Sequence, residues 1–434
     1  MRRLVVLRGL WVAAVALGLA GCGPFGSDAP AVAALAPVAG PGVRVQPEKG
    51  PVLTGIQGDR GYAAWIADGG IQVIGLDLAT NTPTWSAHEL GRASEISDLI
   101  VLPDAVVLTT RPAGRGTPGG GLIVLDPATG ATRWMTDFEG DDPTFYADAV
   151  VLGPRTAKTT RGLDWKTGAT LWSIPDAGDA HLVPVKTGAD GPIADQRLFL
   201  LAADHVLRTY DVRTGKPTGT RTVHEAGTGG VVVGQTLVTT VAGNNVPGPR
   251  VLGYPVSGEG PVRNMHQVDG KRTISQVAAC GTDRICLVED GRDGVPELRA
   301  FDGSSGQQQW RAEAPKAARS PRVARAPIAM AGDRIVYAGS VFAPDGRVLH
   351  RGANPTDTGY ASLGRVTDAR LLGLSATIGR FPTSAVPTEV ASVSSSDGAR
   401  RVLGSVTASP GSCSWGERFL LCAGATSLGV YPLA

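Results

Sequence analysis

An all-β fold is predicted for this 434-residue chain by three observations. Gly (59) and Pro (31) are abundant, while Val, Thr and Leu recur in short runs, which is the composition of many strands joined by turns. A unit of apolar strand, Asp-led turn and second strand recurs along the chain. The recurrence approaches a period of about 40 to 50 residues, which marks stacked modules such as propeller blades or solenoid turns.

The clearest copies are Leu76-Asp77-Leu78-Ala79-Thr80-Asn81 with Trp85, Leu125-Asp126-Pro127-Ala128-Thr129-Gly130 with Trp134, and Leu163-Asp164-Trp165-Lys166-Thr167-Gly168 with Trp172. Weaker copies are Tyr210-Asp211-Val212-Arg213-Thr214-Gly215, with Gly219 at the Trp position, and Phe301-Asp302-Gly303-Ser304-Ser305-Gly306 with Trp310. Degenerate ones lie near 255, 345 and 397. In such a turn the Asp carboxylate accepts backbone N–H bonds and the Gly, or Asn81, takes φ > 0, so the strand reverses tightly. The Trp then falls on the next strand, where its ring fills the gap between neighbouring sheets and its indole N–H can donate. Apolar stretches such as Ala105-Val106-Val107-Leu108-Thr109 and Arg197-Leu198-Phe199-Leu200-Leu201-Ala202 precede the turns and supply further strands. Three to four strands per unit predict a β-propeller of four-stranded blades. Eight turn positions, near 77, 126, 164, 211, 255, 302, 345 and 397, predict eight blades, with seven as the alternative. The chain ends on a strand, so the ring is expected to close by borrowing an N-terminal strand, Gly42-Val43-Arg44-Val45-Gln46, which hides edges that would otherwise invite aggregation.

The pattern Asp-x-x-Thr-Gly-x-x-x-Trp resembles the PQQ-like β-propeller repeat, and the resemblance covers nearly everything after about residue 49. That family includes eight-bladed quinoprotein dehydrogenases, an envelope lipoprotein that assists outer-membrane β-barrel assembly, and uncharacterised actinobacterial propeller lipoproteins. The last group shares most with this chain: a lipobox, an Ala/Pro/Gly tether, an Arg-over-Lys bias and paired cysteines near hairpins.

The N-terminus has the layout of a secretory signal: a basic segment to Arg8, then an apolar run from Gly9 to Ala20. The run is too short for a comfortable membrane span, which needs roughly 20 apolar residues. Leu19-Ala20-Gly21-Cys22 resembles a bacterial lipobox, which implies cleavage before Cys22 and acylation of its thiol. Residues 1–21 are therefore assigned to a lipoprotein signal peptide, 22–48 to an Ala/Pro/Gly-rich tether and 49–434 to the propeller. The full chain has 41 basic and 39 acidic residues; without Arg2, Arg3 and Arg8 the mature part has 38 basic residues. This near-neutral balance lacks the basic excess of a nucleic-acid binder. The expected location is the extracytoplasmic face of the cell membrane, with lipid on Cys22 as the membrane contact.

Once Cys22 is given to lipid, four cysteines remain, in two close pairs. An even remainder suits an oxidising compartment. Gly281-Thr282-Asp283-Arg284 reads as a hairpin turn between Cys280 and Cys286, and Cys413 and Cys422 have the same plan, so both pairs read as local disulfides. Zinc is the rival reading for these thiols, but no CxxC spacing is present and the six His residues are scattered.

A quinone enzyme of this fold uses calcium, an Asp base, a Trp beneath the ring and commonly a vicinal disulfide. This chain has no vicinal Cys pair, and none of those catalytic residues maps onto it, so PQQ with calcium is disfavoured and no cofactor, metal or catalytic residue is assigned. The acidic run Asp137, Glu139, Asp141 and Asp142 could hold a hard cation, but it reads as a solvated loop. Arg115 to Gly121 lacks the Gly-Lys-Ser/Thr ending of a phosphate loop and precedes a strand. The expected function is a non-catalytic binding or scaffold module at the cell envelope. Its protein or glycan partner would be met by loops at 111–121, 185–196, 242–250 or 289–297. The alternative is an envelope enzyme, quinoprotein-like or otherwise, with its site at the central channel.

Overall fold

Strand and turn alternate along the whole described chain because the sequence keeps returning to the same short grammar. The computed structural model describes residues 32–433 except 89, 112–119, 139–142, 154–158, 176–179, 186–192, 226–229, 242–247, 259, 270–271, 282, 291–294, 315–327, 353–358, 378–384 and 410. Among these residues there are nine four-stranded antiparallel sheets and no helix. Eight of the sheets are simple meanders. We number them blades 1 to 8, spanning 49–87, 95–138, 144–175, 181–222, 230–267, 273–313, 329–350 and 359–408.

Blade 9 is composite. Its strands run in the order Val43–Arg44, Ser427–Pro432, Phe419–Ala423, Cys413–Trp415, with Val43 opposite Leu428 and Arg44 opposite Ser427. The expected N-terminal closing strand is therefore present. The expected count of eight blades, or seven, is wrong, and the reason is the closing strand itself. Counting turns between third and fourth strands finds blades 1 to 8, but blade 9 has no such turn, because its fourth strand comes from the other end of the chain.

The cores lie between blades. Nine clusters of buried side chains each join two neighbouring sheets. One unites Val150, Leu152 and Leu163 of blade 3 with Val107, Val124 and Trp134 of blade 2; another unites Leu421 and Val430 of blade 9 with Leu76 and Trp65 of blade 1. With nine blades and nine seams, the ring is closed. A middle strand is covered on both sides, so Ala105–Arg111 is buried over six consecutive residues, whereas the outer strand Pro217–Thr222 is mostly exposed.

Polar bonds reinforce the closing seam. The Thr54 hydroxyl of blade 1 donates to the Ser412 carbonyl at 3.1 Å, and the Ser414 hydroxyl of blade 9 donates to the Thr54 carbonyl at 2.6 Å. Upstream of the closing strand, the Leu35 N–H donates to Ser405 O and the Val38 N–H to Val430 O, so the stretch assigned to the tether is bonded to blades 8 and 9 from Ala33 onward.

Cys413 and Cys422 face each other across the first two strands of blade 9 and are disulfide-bonded; Cys280 and Cys286 are bonded across the hairpin that begins blade 6. Each bond closes a short loop, worth roughly 2–3 kcal/mol through the unfolded state. Replacing both Cys413 and Cys422 by Ala is expected to lower the unfolding free energy in urea by that amount. Unchanged unfolding would show that the bond does not restrain the closing blade.

Candidate functional site

The repeat residues meet at the seams. Asp126 Oδ1 accepts from the backbone N–H groups of Ala128 and Thr129 and from the Thr129 hydroxyl, all at 3.0 Å. Asp164 and Asp302 do the same in their turns, and Asp77 and Asp211 accept from the N–H and hydroxyl of Thr80 and Thr214 respectively. Gly130, Gly168, Gly215 and Gly306 sit at φ of 66° to 73°, and Asn81 at 51°. Between third and fourth strands every one of blades 1 to 8 slips register by a bulge. In blades 1, 2, 3 and 6 this slip sets a Trp opposite Gly75, Val124, Gly162 or Ala300.

From that seat each indole donates across the seam. Trp85 Nε1 reaches Pro127 O at 3.1 Å, Trp134 reaches Trp165 O at 3.0 Å, Trp172 reaches Val212 O at 2.7 Å, and Trp310 reaches Pro344 O at 2.7 Å. The next blade's turn glycine lies against the same ring. A Cβ on Gly215 would stand 2.7 Å from Trp172 Cγ, and one on Gly168 would stand 2.6 Å from Trp134 Cδ2. The seam accordingly requires a ring on one blade and a bare backbone on the next.

Three further donors occupy seams where no Trp stands, and the expected motif misses them. Opposite Gly253, eight residues past Pro255, Arg263 donates to Gly303 O at 3.3 Å. In blade 7 His350, four residues past Gly346, takes the seat opposite Val341, with Nδ1 3.2 Å from Gly398 O. Beyond Gly219, Arg221 donates to Gly260 O at 2.9 Å. The register of each bulge finds Arg263 and His350; a search for Trp does not.

Two places hold chemistry that the repeat does not consume. The first is the seam of blades 5 and 6, where Glu289 is only 2% exposed. It accepts from His266 Nε2 at 2.9 Å and pairs with Arg299 Nε at 2.6 Å, while Glu297 pairs with Arg299 at 2.6 Å and Arg272 at 3.1 Å. Burial alone would push the Glu289 carboxyl up; the His266 hydrogen bond and the Arg299 and Arg272 charges outweigh it and hold it below the usual range.

The second is a cleft of about 360 Å³ at the seam of blades 7 and 8. Blade 7 strands are three or four residues long, whereas those of blade 8 run seven to nine. The longer sheet projects past the shorter one. Its floor is the small pair Gly373 and Ala391, with Leu363 and Val393 beside it. The rim carries His350, Arg351, Ser375, Glu389 and Arg400, with Glu389 paired to Arg400.

Among the described residues no three His, Cys, Asp or Glu side chains come together to hold a metal ion. The acidic run near 139–142 and Cys22 lie outside the described residues, as do the centres of the four candidate loops. The strands flanking 111–121, 242–250 and 289–297 are second and third strands, so these loops leave from one face of the ring. The 185–196 loop joins a first to a second strand and leaves from the opposite face.

Residues 67–251 match the family model described as outer membrane protein assembly factor BamB, a PQQ-type model. This stretch consists of PQQ-like repeats. It runs from blade 1 to the third strand of blade 5, where the Asp-led turns are most complete. Among solved structures, BamB from Moraxella catarrhalis is 17% identical, covers 92% of this chain and 100% of its own, and has a TM-score of 0.43. A computationally designed protein, Ika8, is 14% identical over 79% of this chain and 98% of its own, with a TM-score of 0.46. A eukaryotic initiation factor is 13% identical over 84% of this chain and 90% of its own, with a TM-score of 0.52. At these identities the likeness is one of fold alone. No curated protein matches the chain.

Gly215→Ala adds a left-handed backbone cost and a clash with Trp172, and is expected to lower stability by roughly 1–3 kcal/mol; Trp172→Ala should cost roughly 3–5 kcal/mol. Thermal unfolding of the two variants checks both. Hydrogen bonds hold Asp126 and Asp302 at about 2 instead of the usual 3.8. Their folded-state values are depressed, so the stability they contribute is present above about pH 4 and lost as pH falls from 3.8 towards 2. Denaturant titrations between pH 7 and 2 should show this loss, and it should shrink in Asp126→Asn.

Proposed function

We propose that this chain is a lipoprotein held on the extracytoplasmic face of the membrane by acyl chains on Cys22, with its propeller serving as a non-catalytic binding scaffold for an envelope protein. The observation that carries the scaffold reading is the fate of the repeat chemistry. The described side chains of the repeat are spent on turns and seams, and the candidate loops leave from a frame that those seams make rigid. Loops on a rigid scaffold suit recognition. The matched family model is described as an assembly factor, and this favours a protein over a glycan as the partner.

The anchor reading rests on the signal layout, on the lipobox-like Leu19-Ala20-Gly21-Cys22 and on the pairing of the other four cysteines with one another. One diacylglyceryl group on the thiol brings two chains, which is enough for stable attachment, since one chain alone is marginal. Cys22→Ala is expected to remove the acyl mass increment and to move the protein from the membrane fraction to the soluble one. Unchanged retention would refute the anchor. Cross-linking in intact cells followed by mass spectrometry should recover one reproducible envelope protein, and repeated recovery of none would refute the scaffold.

A further inference from the structure

The seam between blades 7 and 8 differs from those sealed by a Trp. The short strands of blade 7 leave part of the longer blade 8 sheet uncovered, and Gly373 and Ala391 contribute almost no volume to fill the gap. What remains is a cleft of about 360 Å³, at the lower end of the roughly 300–1,000 Å³ range of small-molecule pockets.

Its polar groups are unevenly satisfied. His350 Nδ1 faces the Gly398 carbonyl, which can only accept, so the ring proton sits on Nδ1. Burial and the nearby Arg400 charge keep this imidazole neutral by pushing its pKa down, which leaves Nε2 as an acceptor. Glu389 Oε1 takes both Arg400 and the Ser375 hydroxyl, while Oε2 has no partner among the described residues. Arg351 on the rim is likewise unpaired among the described residues. The cleft is thus lined by two residues that keep an acceptor in reserve, His350 and Glu389, the latter paired to Arg400 through its other oxygen, and by Arg351, unpaired among the described residues, beside the aliphatic Leu363, Ala391 and Val393.

We propose that this cleft binds a small zwitterion with an apolar body, such as an apolar dipeptide, with its ammonium group taken by Glu389 and His350 and its carboxylate by Arg351. Charge complementarity favours it, because the ammonium meets the second oxygen of the Glu389 carboxylate, whose first is held by Arg400, and the carboxylate meets Arg351, unpaired among the described residues. The aliphatic floor favours such a body over a sugar.

The proposal rests on the binding half of the reading above and is independent of the anchor. Calorimetry on the purified full chain with Val-Leu dipeptide tests it, alongside N-acetyl-Val-Leu, Val-Leu-amide and sucrose. Val-Leu is expected to bind, with each blocked form weaker by at least about tenfold, equal to about 1.4 kcal/mol. Arg351→Ala, at an exposed position, should selectively lose the preference for a free carboxylate, and Glu389→Gln the preference for a free amine. Gly373→Val should fill the floor and abolish binding. Thermal unfolding confirms that each variant is folded. No heat with millimolar Val-Leu, equal affinity for the blocked forms, or binding of sucrose instead overturns the proposal. None of these outcomes bears on membrane retention or on the cross-linked partner, so the two readings fail separately.

Discussion

One contact recurs at the seven seams from blade 1 to blade 8: a side-chain N–H on the fourth strand of one blade meets a backbone carbonyl in the turn of the next. It works because the turn has already satisfied its own polar groups. The Asp carboxylate takes the free N–H groups of the reversal, the glycine turns the chain at positive φ, and the carbonyl just past the Asp is left pointing outward. The donor brings with it a broad apolar body that covers the glycine. A buried indole would be costly with its N–H unmet, and a bare glycine would leave a void; each removes the other's penalty.

The contact also tolerates replacement. Arg263 keeps both the donor and the flat body, since a guanidinium is planar and forks towards its acceptor. His350 keeps the donor and gives up volume. Where volume is lost and the neighbouring strands are short, the seam opens, and the cleft beside blade 8 is the result. The departure from the repeat and the candidate ligand site therefore have one cause. The charged seam at Glu289 shows another solution, in which two guanidiniums and an imidazole compensate a buried carboxylate; removing one partner of such a group is costly because the others stay buried.

The strand grammar, the Asp-led turns and the cysteine pairs were legible in the sequence because each depends on residues close together in the chain. Asp126 needs only Ala128 and Thr129, and Cys280 needs only a six-residue hairpin. The ninth blade was hidden because its fourth strand, Val43–Arg44, carries no turn to mark it and finds its partner at Leu428. The cleft was hidden for a different reason. It arises from the relative lengths of two sheets and from a Gly373–Ala391 pairing, neither of which has a local signature. His350 looked scattered because its importance lies in a seat defined by the bulge in blade 7.

The composite ninth blade also bears on how the molecule is made. Joining Val43 to Leu428 closes a loop of nearly the whole chain, at an entropic cost on the order of 5 kcal/mol. Nothing repays that cost until the last strand, Ser427–Pro432, exists. During synthesis the first eight blades can form only an open arc, with blade 1 presenting an uncovered apolar side. Ser427–Pro432 is thus a latch: without it the eight earlier blades would keep their sheets, and blade 9 could not bridge the two ends of the arc.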